Sequence, residues 1–247
     1  MLIFGSSFSY GYDLLIKESY PYIMGKYLPE YSIINASIIG ESRKNILNYF
    51  NYLKTHKISV NTLVIEINLF NFTSSTPNTN KNHSEYLNNS YSQFYLFHPH
   101  GINLLTNLEL NRLYAPDKKE RHRFSFANLP DSYSEKYIDF KKNLPEYASF
   151  LNSIFSTSFE IAEHVYFFIS PISREGIKQT QFNITDIENE LNDLNQICQR
   201  YPKIHCLIPK PDYSKNNFMN ISHFNEQGHQ VISKWLAKQI KKNQKEA

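Results

Sequence analysis

The chain has 247 residues, 41% of them hydrophobic and 20% charged, with a formal net charge of +3. That is enough chain for a sizeable single core, and the charge is too small and too scattered to form the basic stripe that nucleic acid demands. No apolar run reaches the length of a membrane span, and Gly5 interrupts the opening apolar stretch too early for a secretory leader, so the expectation is a cytoplasmic protein. Its two cysteines agree with that compartment: Cys198 falls in a predicted helix and Cys206 in the next strand, where buried free thiols are expected. The basic run from Lys238 to Lys245 reads as the solvated face of a terminal helix.

Met1 to Phe4 is a short apolar run that stops at Gly5 and is followed by Ser6, Ser7, Ser9 and Gly11, the pattern of a buried strand entering a tight turn. Ser19 as N-cap and Pro21 in the first turn predict a helix to Leu28, with Ile23, Met24 and Tyr27 facing inward. Tyr31 to Asn35 reads as a second strand. Ser42 caps a helix to Leu53 whose stripe is Ile46, Leu47, Phe50 and Leu53, and Thr62 to Ile67 is a third strand, apolar nearly throughout. Strands alternating with helices over short connections specify a parallel sheet covered on both faces.

From residue 73 to residue 134 the period is lost. The segment starts polar, becomes dense in aromatics between Tyr86 and Phe97, and carries one short helical stretch, Leu104 to Leu113. It reads as an insertion over the sheet within a single domain, 1–247. Regularity returns with a helix from Pro145 and a strand from His164 to Ile169. Thr185 and Glu188 form a capping box ahead of Ile187, Leu191, Leu194 and Cys198, and a short strand runs from Ile204 to Ile208. A last helix, Asn225 to Ile240, buries Ile232, Trp235 and Leu236. The predicted fold class is α/β: a three-layer α/β/α sandwich on a five-stranded parallel sheet of flavodoxin-like type, with the inserted segment after the third strand.

In open α/β sheets ligands bind beyond the carboxyl ends of the strands. Ser7 sits there and is the candidate nucleophile. A serine hydroxyl needs an adjacent base, and His223, just before the last helix, is the candidate. Asn220, three residues upstream, can orient the ring through its amide oxygen, with Asp212 as a substitute. The N–H groups of Ser7 and Gly40 are candidates for an oxyanion hole, and the side chain of Asn68 or Asn71 could add a donor. Taken singly, Ser7 could be a turn residue and His223 a cap. Their order along the chain is what favours chemistry. His98-Pro99-His100 lacks a third ligand, so no metal is expected, and the remaining histidines, including His164 and His205 in strands, read as structural.

Gly5-Ser6-Ser7-Phe8-Ser9-Tyr10-Gly11 resembles the first block of the SGNH/GDSL hydrolase family, Gly-Asp-Ser with a glycine a few residues on. Asn35 to Gly40 resembles the second block, and Asn220 to Gly228 the last, Asp-x-x-His followed by a hydrophobic residue, Asn or Ser, and a Gly. There are departures. Ser6 stands where the family has Asp, Asn220 stands where the triad Asp belongs, and Ile67-Asn68-Leu69-Phe70-Asn71 is an altered form of the third block, Gly-x-Asn-Asp. The resemblance implies a serine esterase or O-acyltransferase acting on an ester, acetyl by expectation, of a carbohydrate or other small molecule. Hydrolysis needs no cofactor, and the oligomeric state stays open. The alternative is a catalytically silent binding or assembly module on the same fold, which Asn220 and the altered third block favour.

Overall fold

A computed structural model describes residues 1–11, 14–37, 43–69, 144–178, 183–208 and 213–246. The predicted insertion, including the aromatic stretch, the short helix at Leu104 to Leu113 and His98 to His100, lies outside the described residues, as do Gly40, Asn71 and Asp212.

Five parallel strands form one sheet in the order β2-β1-β3-β4-β5: β1 Leu2–Phe4, β2 Ile34–Asn35, β3 Val60–Ile67, β4 Ala162–Ile169 and β5 Ile204–Cys206. The helices are α1 Ser7–Tyr10, α2 Tyr20–Tyr27, α3 Arg43–Thr55, α4 Leu144–Ile161, α5 Arg174–Lys178, α6 Ile184–Gln199 and α7 Glu226–Glu246. This strand order reverses between β1 and β3, and such a reversal opens a crevice at the carboxyl ends of the two strands.

The central strands explain the layering. Along β3 the side chains alternate, so Leu63, Ile65 and Ile67 join Phe4, Phe50, Leu151, Phe155 and Phe167 in one core. On the opposite face Val64 joins Ile3, Phe8, Tyr20, Phe168, Ile232 and Leu236 in the second core. Each fully buried aromatic or aliphatic side chain contributes about 1.5–3 kcal/mol relative to exposure. Glu66 falls on the Val64 face by the same alternation, and it is buried. A carboxylate in a strand covered on both sides breaks the apolar run from Leu63 to Ile67.

Several local expectations change. Ser19 does occupy the N-cap of α2, but its hydroxyl donates backward to the Ile16 carbonyl at 2.7 Å and caps nothing. The first N–H of that helix, from Tyr20, goes instead to Nδ1 of His229 on α7 at 3.0 Å. The capping box at Thr185 and Glu188 is not formed: α6 begins earlier, with Asn183 accepting from Thr185 N at 2.9 Å, and Glu188 pairs with Arg174 at 2.7 Å. Tyr27 is 39% exposed, because the second core is already filled by Tyr20, Met24 and Leu28. Trp235 packs only partly buried against the same core.

The free-thiol expectation is overturned. Cys198, at the end of α6, is disulfide-bonded to Cys206 in β5, with the Cα atoms 6.0 Å apart. The turn between helix and strand brings the two thiols together, a closeness that assigning them to different elements concealed. The cytoplasmic expectation loses the support it drew from free thiols. Among the described residues no helix is long and apolar enough to cross a membrane.

Candidate active site

β1 runs into Gly5 and then directly into the single turn α1. Ser6 is the N-cap of that turn, accepting from Phe8 N at 3.3 Å. Gly11 closes it at φ 84°, a left-handed conformation suited to glycine, and its N–H reaches the carbonyls of Ser7 and Phe8 at 3.2 Å. From Leu2 to Ser9 every residue is buried except Ser7, which is partly exposed. As the first residue of the turn, Ser7 also carries an N–H of the class that a helix start leaves without an intrahelical acceptor. Asn35, at the end of β2, steadies the turn by donating to the Ser9 carbonyl at 2.9 Å.

The candidate base comes from the opposite end of the chain. Phe218 and Phe224 pair as an antiparallel bridge, and Met219 N donates to the His223 carbonyl at 2.9 Å, so the residues between them form a closed loop. Ser173, beyond β4, ties the loop down by donating to the Ile221 carbonyl at 2.8 Å. Asn225 then starts α7 as its cap, with its amide oxygen accepting from Gly228 N at 3.0 Å. Phe8 and Phe224, the residues next after Ser7 and His223, pack against each other with ring centroids 5.2 Å apart. The aromatic pair locks the two loops side by side.

The result is a continuous polar chain. Ser7 Oγ lies 2.7 Å from Nε2 of His223, and Nδ1 of the same ring lies 3.0 Å from Oδ1 of Asn220. Oδ1 also accepts from the main-chain N–H groups of His223 at 2.9 Å and Ser222 at 3.1 Å. Burial pushes the His223 imidazole down to about pKa 4, so at neutral pH it is uncharged and able to accept a proton. The structure therefore brings together Ser7, His223 and Asn220. Asn68 follows β3 and is buried.

Two further residues surround this chain: Glu66, which carries no signal of its partners in the sequence, and His229, one of the histidines expected to be structural. Glu66 accepts from Ser6 N at 2.7 Å, from Ser6 Oγ at 3.1 and 3.0 Å, and from Ser9 Oγ at 2.9 Å. Burial raises its pKa, and the hydrogen bonds, led by that from Ser6 N, pull it back. Its signal was a lone carboxylate in an apolar strand. His229 is buried, stacks on Phe8 at 5.4 Å and on Tyr20 at 6.0 Å, and burial followed by the nearby His223 lowers its pKa to about 3. Its signal was helical spacing, three residues before the buried Ile232. Among the described residues no group of three His, Cys, Asp or Glu side chains is placed to hold a metal ion.

No protein-family model matches the sequence, and no curated protein does. Solved structures do match. Est24, a carbohydrate acetylesterase from Sinorhizobium meliloti, aligns at TM-score 0.51 and 11% identity over 97% of this chain and 96% of its own. The M. smegmatis aryl esterase aligns at TM-score 0.49 and 10% identity, covering 98% and 97%. The psychrotrophic esterase EstA from Pseudoalteromonas sp. aligns at TM-score 0.46 and 17% identity, covering 98% and 96%. The likeness to Est24 is one of fold: the two chains share the α/β architecture over nearly their whole lengths.

Proposed function

We propose that the chain is a serine esterase of SGNH type. Ser7 Oγ attacks the acyl carbonyl while Nε2 of His223 takes its proton, and the same ring returns the proton to the departing alkoxide. The N–H groups of Ser7 and Gly40, with the side-chain amide of Asn68 or Asn71, then hold the oxyanion. Water releases the acyl group in hydrolysis, and a hydroxyl of a second substrate takes it in O-acyl transfer. The carrying observation is the 2.7 Å contact between Ser7 Oγ and a ring that burial keeps neutral.

Acetyl esters of carbohydrates are the first substrate class to test, since Est24 shares the fold and is a carbohydrate acetylesterase. The experiment is covalent labelling by a serine-directed fluorophosphonate, paired with turnover of a short-chain aryl ester. Labelling and turnover in the wild type that both vanish in Ser7→Ala support the reading. Labelling that persists in Ser7→Ala, or a wild type that neither labels nor turns over, sinks it.

The second reading is a silent binding module on the same fold. A neutral Asn220 in the orienting position favours it, because no charge there stabilises the imidazolium. The same labelling assay separates the two.

A further inference from the structure

Ser6 takes the place that carries an aspartate in the first block this chain resembles, so the turn holding Ser7 lacks a carboxylate of its own. A carboxylate is nevertheless present beneath it. Glu66 reaches up from the carboxyl end of β3, and its Oε2 meets the N–H of Ser6 at 2.7 Å, the hydroxyl of Ser6 at 3.0 Å and the hydroxyl of Ser9 at 2.9 Å. Residues 6 and 9 flank Ser7 and Phe8, so one side chain grips both ends of the turn. Ser9 is held on its far side by the hydroxyl of Tyr20 at 2.7 Å. Gly5 belongs to the same arrangement, because a Cβ there would run into Glu66 Oε2 and Ser9 Oγ.

We propose that Glu66 is the positioning residue of the nucleophile turn, supplying from β3 the carboxylate that the resembled block carries at position 6. The proposal rests on Ser7 being the nucleophile. A buried carboxylate among Val64, Phe8 and Tyr20 is costly unless hydrogen bonds satisfy it. Ser170, beyond β4, also acts on the carboxylate, but the bonds from Ser6 N, Ser6 Oγ and Ser9 Oγ go to the segment that sets where Ser7 Oγ stands relative to His223. An attacking atom displaced by about 1 Å can lose about a hundredfold in rate, so fixing this turn has a kinetic consequence beyond fold stability. Glu66 touches no reacting atom. It acts through the placement of Ser6 and Ser9.

The test moves the carboxylate. Glu66→Gln, Ser6→Asp and the double variant are compared with wild type for aryl-ester kcat and KM, fluorophosphonate labelling rate and thermal melting. Glu66→Gln is expected to lower kcat by about ten- to a hundredfold with KM within about twofold, because turn placement and not substrate affinity is lost. Ser6→Asp forces two carboxylates into one buried pocket and is expected to lose activity as well. The double variant restores a single carboxylate and is expected to return to within about fivefold of wild type, a recovery that a merely structural Glu66 would not give.

Glu66→Gln with wild-type kcat and labelling rate overturns the proposal, as does a double variant whose losses multiply. If the single variants fail to fold, the double decides: folded and labelled supports the exchange, unfolded or inactive refutes it. A wild type that does not label at Ser7 is a different outcome. It removes the nucleophile reading itself, and this proposal with it.

Discussion

The side-chain oxygen of Asn220 lies 3.0 Å from Nδ1 of His223 and accepts two main-chain N–H bonds besides, from Ser222 and from His223. Main-chain N–H groups only donate, so they fix which end of the amide faces the ring. With oxygen there, the ring proton must sit on Nδ1, and Nε2 presents its lone pair to the Ser7 hydroxyl at 2.7 Å. Asparagine thus supplies the tautomer and orientation that a triad aspartate would supply. Only the charge is missing.

Restoring that charge gives the first prediction. Asn220→Asp keeps an oxygen acceptor for all three N–H groups and adds a negative charge beside the ring. It should raise kcat by about tenfold or more, within the ~10⁴-fold that an Asp-to-Asn change costs when the tautomer is also lost. It should also raise the His223 pKa from about 4, moving the acid limb of kcat/KM to higher pH. A pH–rate profile of the variant checks both, and a lower kcat with an unmoved limb would contradict this account.

Two buried neutral histidines make stability depend on pH. His223 and His229 hold folded pKa values of about 4 and about 3 against 6.5 for the ordinary ring. Between pH 6.5 and those values the unfolded chain binds protons that the native state does not, so stability falls as pH falls. The contribution is fully present above pH 6.5 and disappears by about pH 3. Each ring should cost about 2 kcal/mol between pH 6.5 and pH 5. Glu66 opposes this, since its raised pKa means that acidification relieves its burial. His229→Asn keeps an acceptor for Tyr20 N while removing one titration. Urea unfolding at the two pH values should show about half the wild-type dependence on the histidines, and an unchanged slope would refute the assignment.

How far the chain was legible follows from where its constraints lie. Leu63, Ile65 and Ile67 announce a buried parallel strand because their burial is local to β3, and the same holds for Ile23 and Met24 in α2. That Ser7 and His223 lie in loops was legible because turn chemistry marks both, and the structure brings their side chains to 2.7 Å. Glu66 was missed because its partners, Ser6 and Ser9, lie 60 and 57 residues away, and nothing in Val64-Ile65-Glu66-Ile67 says what a carboxylate there would meet. Ser19 was correctly placed at the N-cap of α2, but the group that satisfies the helix start was hidden for the same reason: the acceptor for Tyr20 N is 209 residues along the chain. Sequence patterns reveal what neighbours satisfy and conceal what distant elements supply.

Gly5 offers an independent probe of the turn that carries Ser7. A methyl group there meets Glu66 Oε2 together with Cβ and Oγ of Ser9, and these atoms are held by their own hydrogen bonds. Gly5→Ala should therefore lower stability by about 1–3 kcal/mol, the usual range for overpacking a filled site. It should also slow fluorophosphonate labelling of Ser7. Chemical denaturation with parallel labelling tests this, and a variant as stable and reactive as wild type would show that the turn has slack.

The disulfide between Cys198 and Cys206 closes a short loop, with a sequence separation of 8. Constraining a loop of that size in the unfolded chain stabilises the native state by about 2–3 kcal/mol on chain-entropy grounds. For a domain of this size that corresponds to roughly 5–10 °C in Tm. Denatured, unreduced protein should show no reactive thiols and should show two after reduction. Reductant should lower the wild-type Tm by that amount and leave Cys198→Ala/Cys206→Ala unmoved. Because the bond anchors β5 to the end of α6 and does not touch the loop carrying Asn220 and His223, folded reduced protein should label at Ser7 at close to the oxidised rate. Two titratable thiols in the unreduced, denatured chain would rule the bond out.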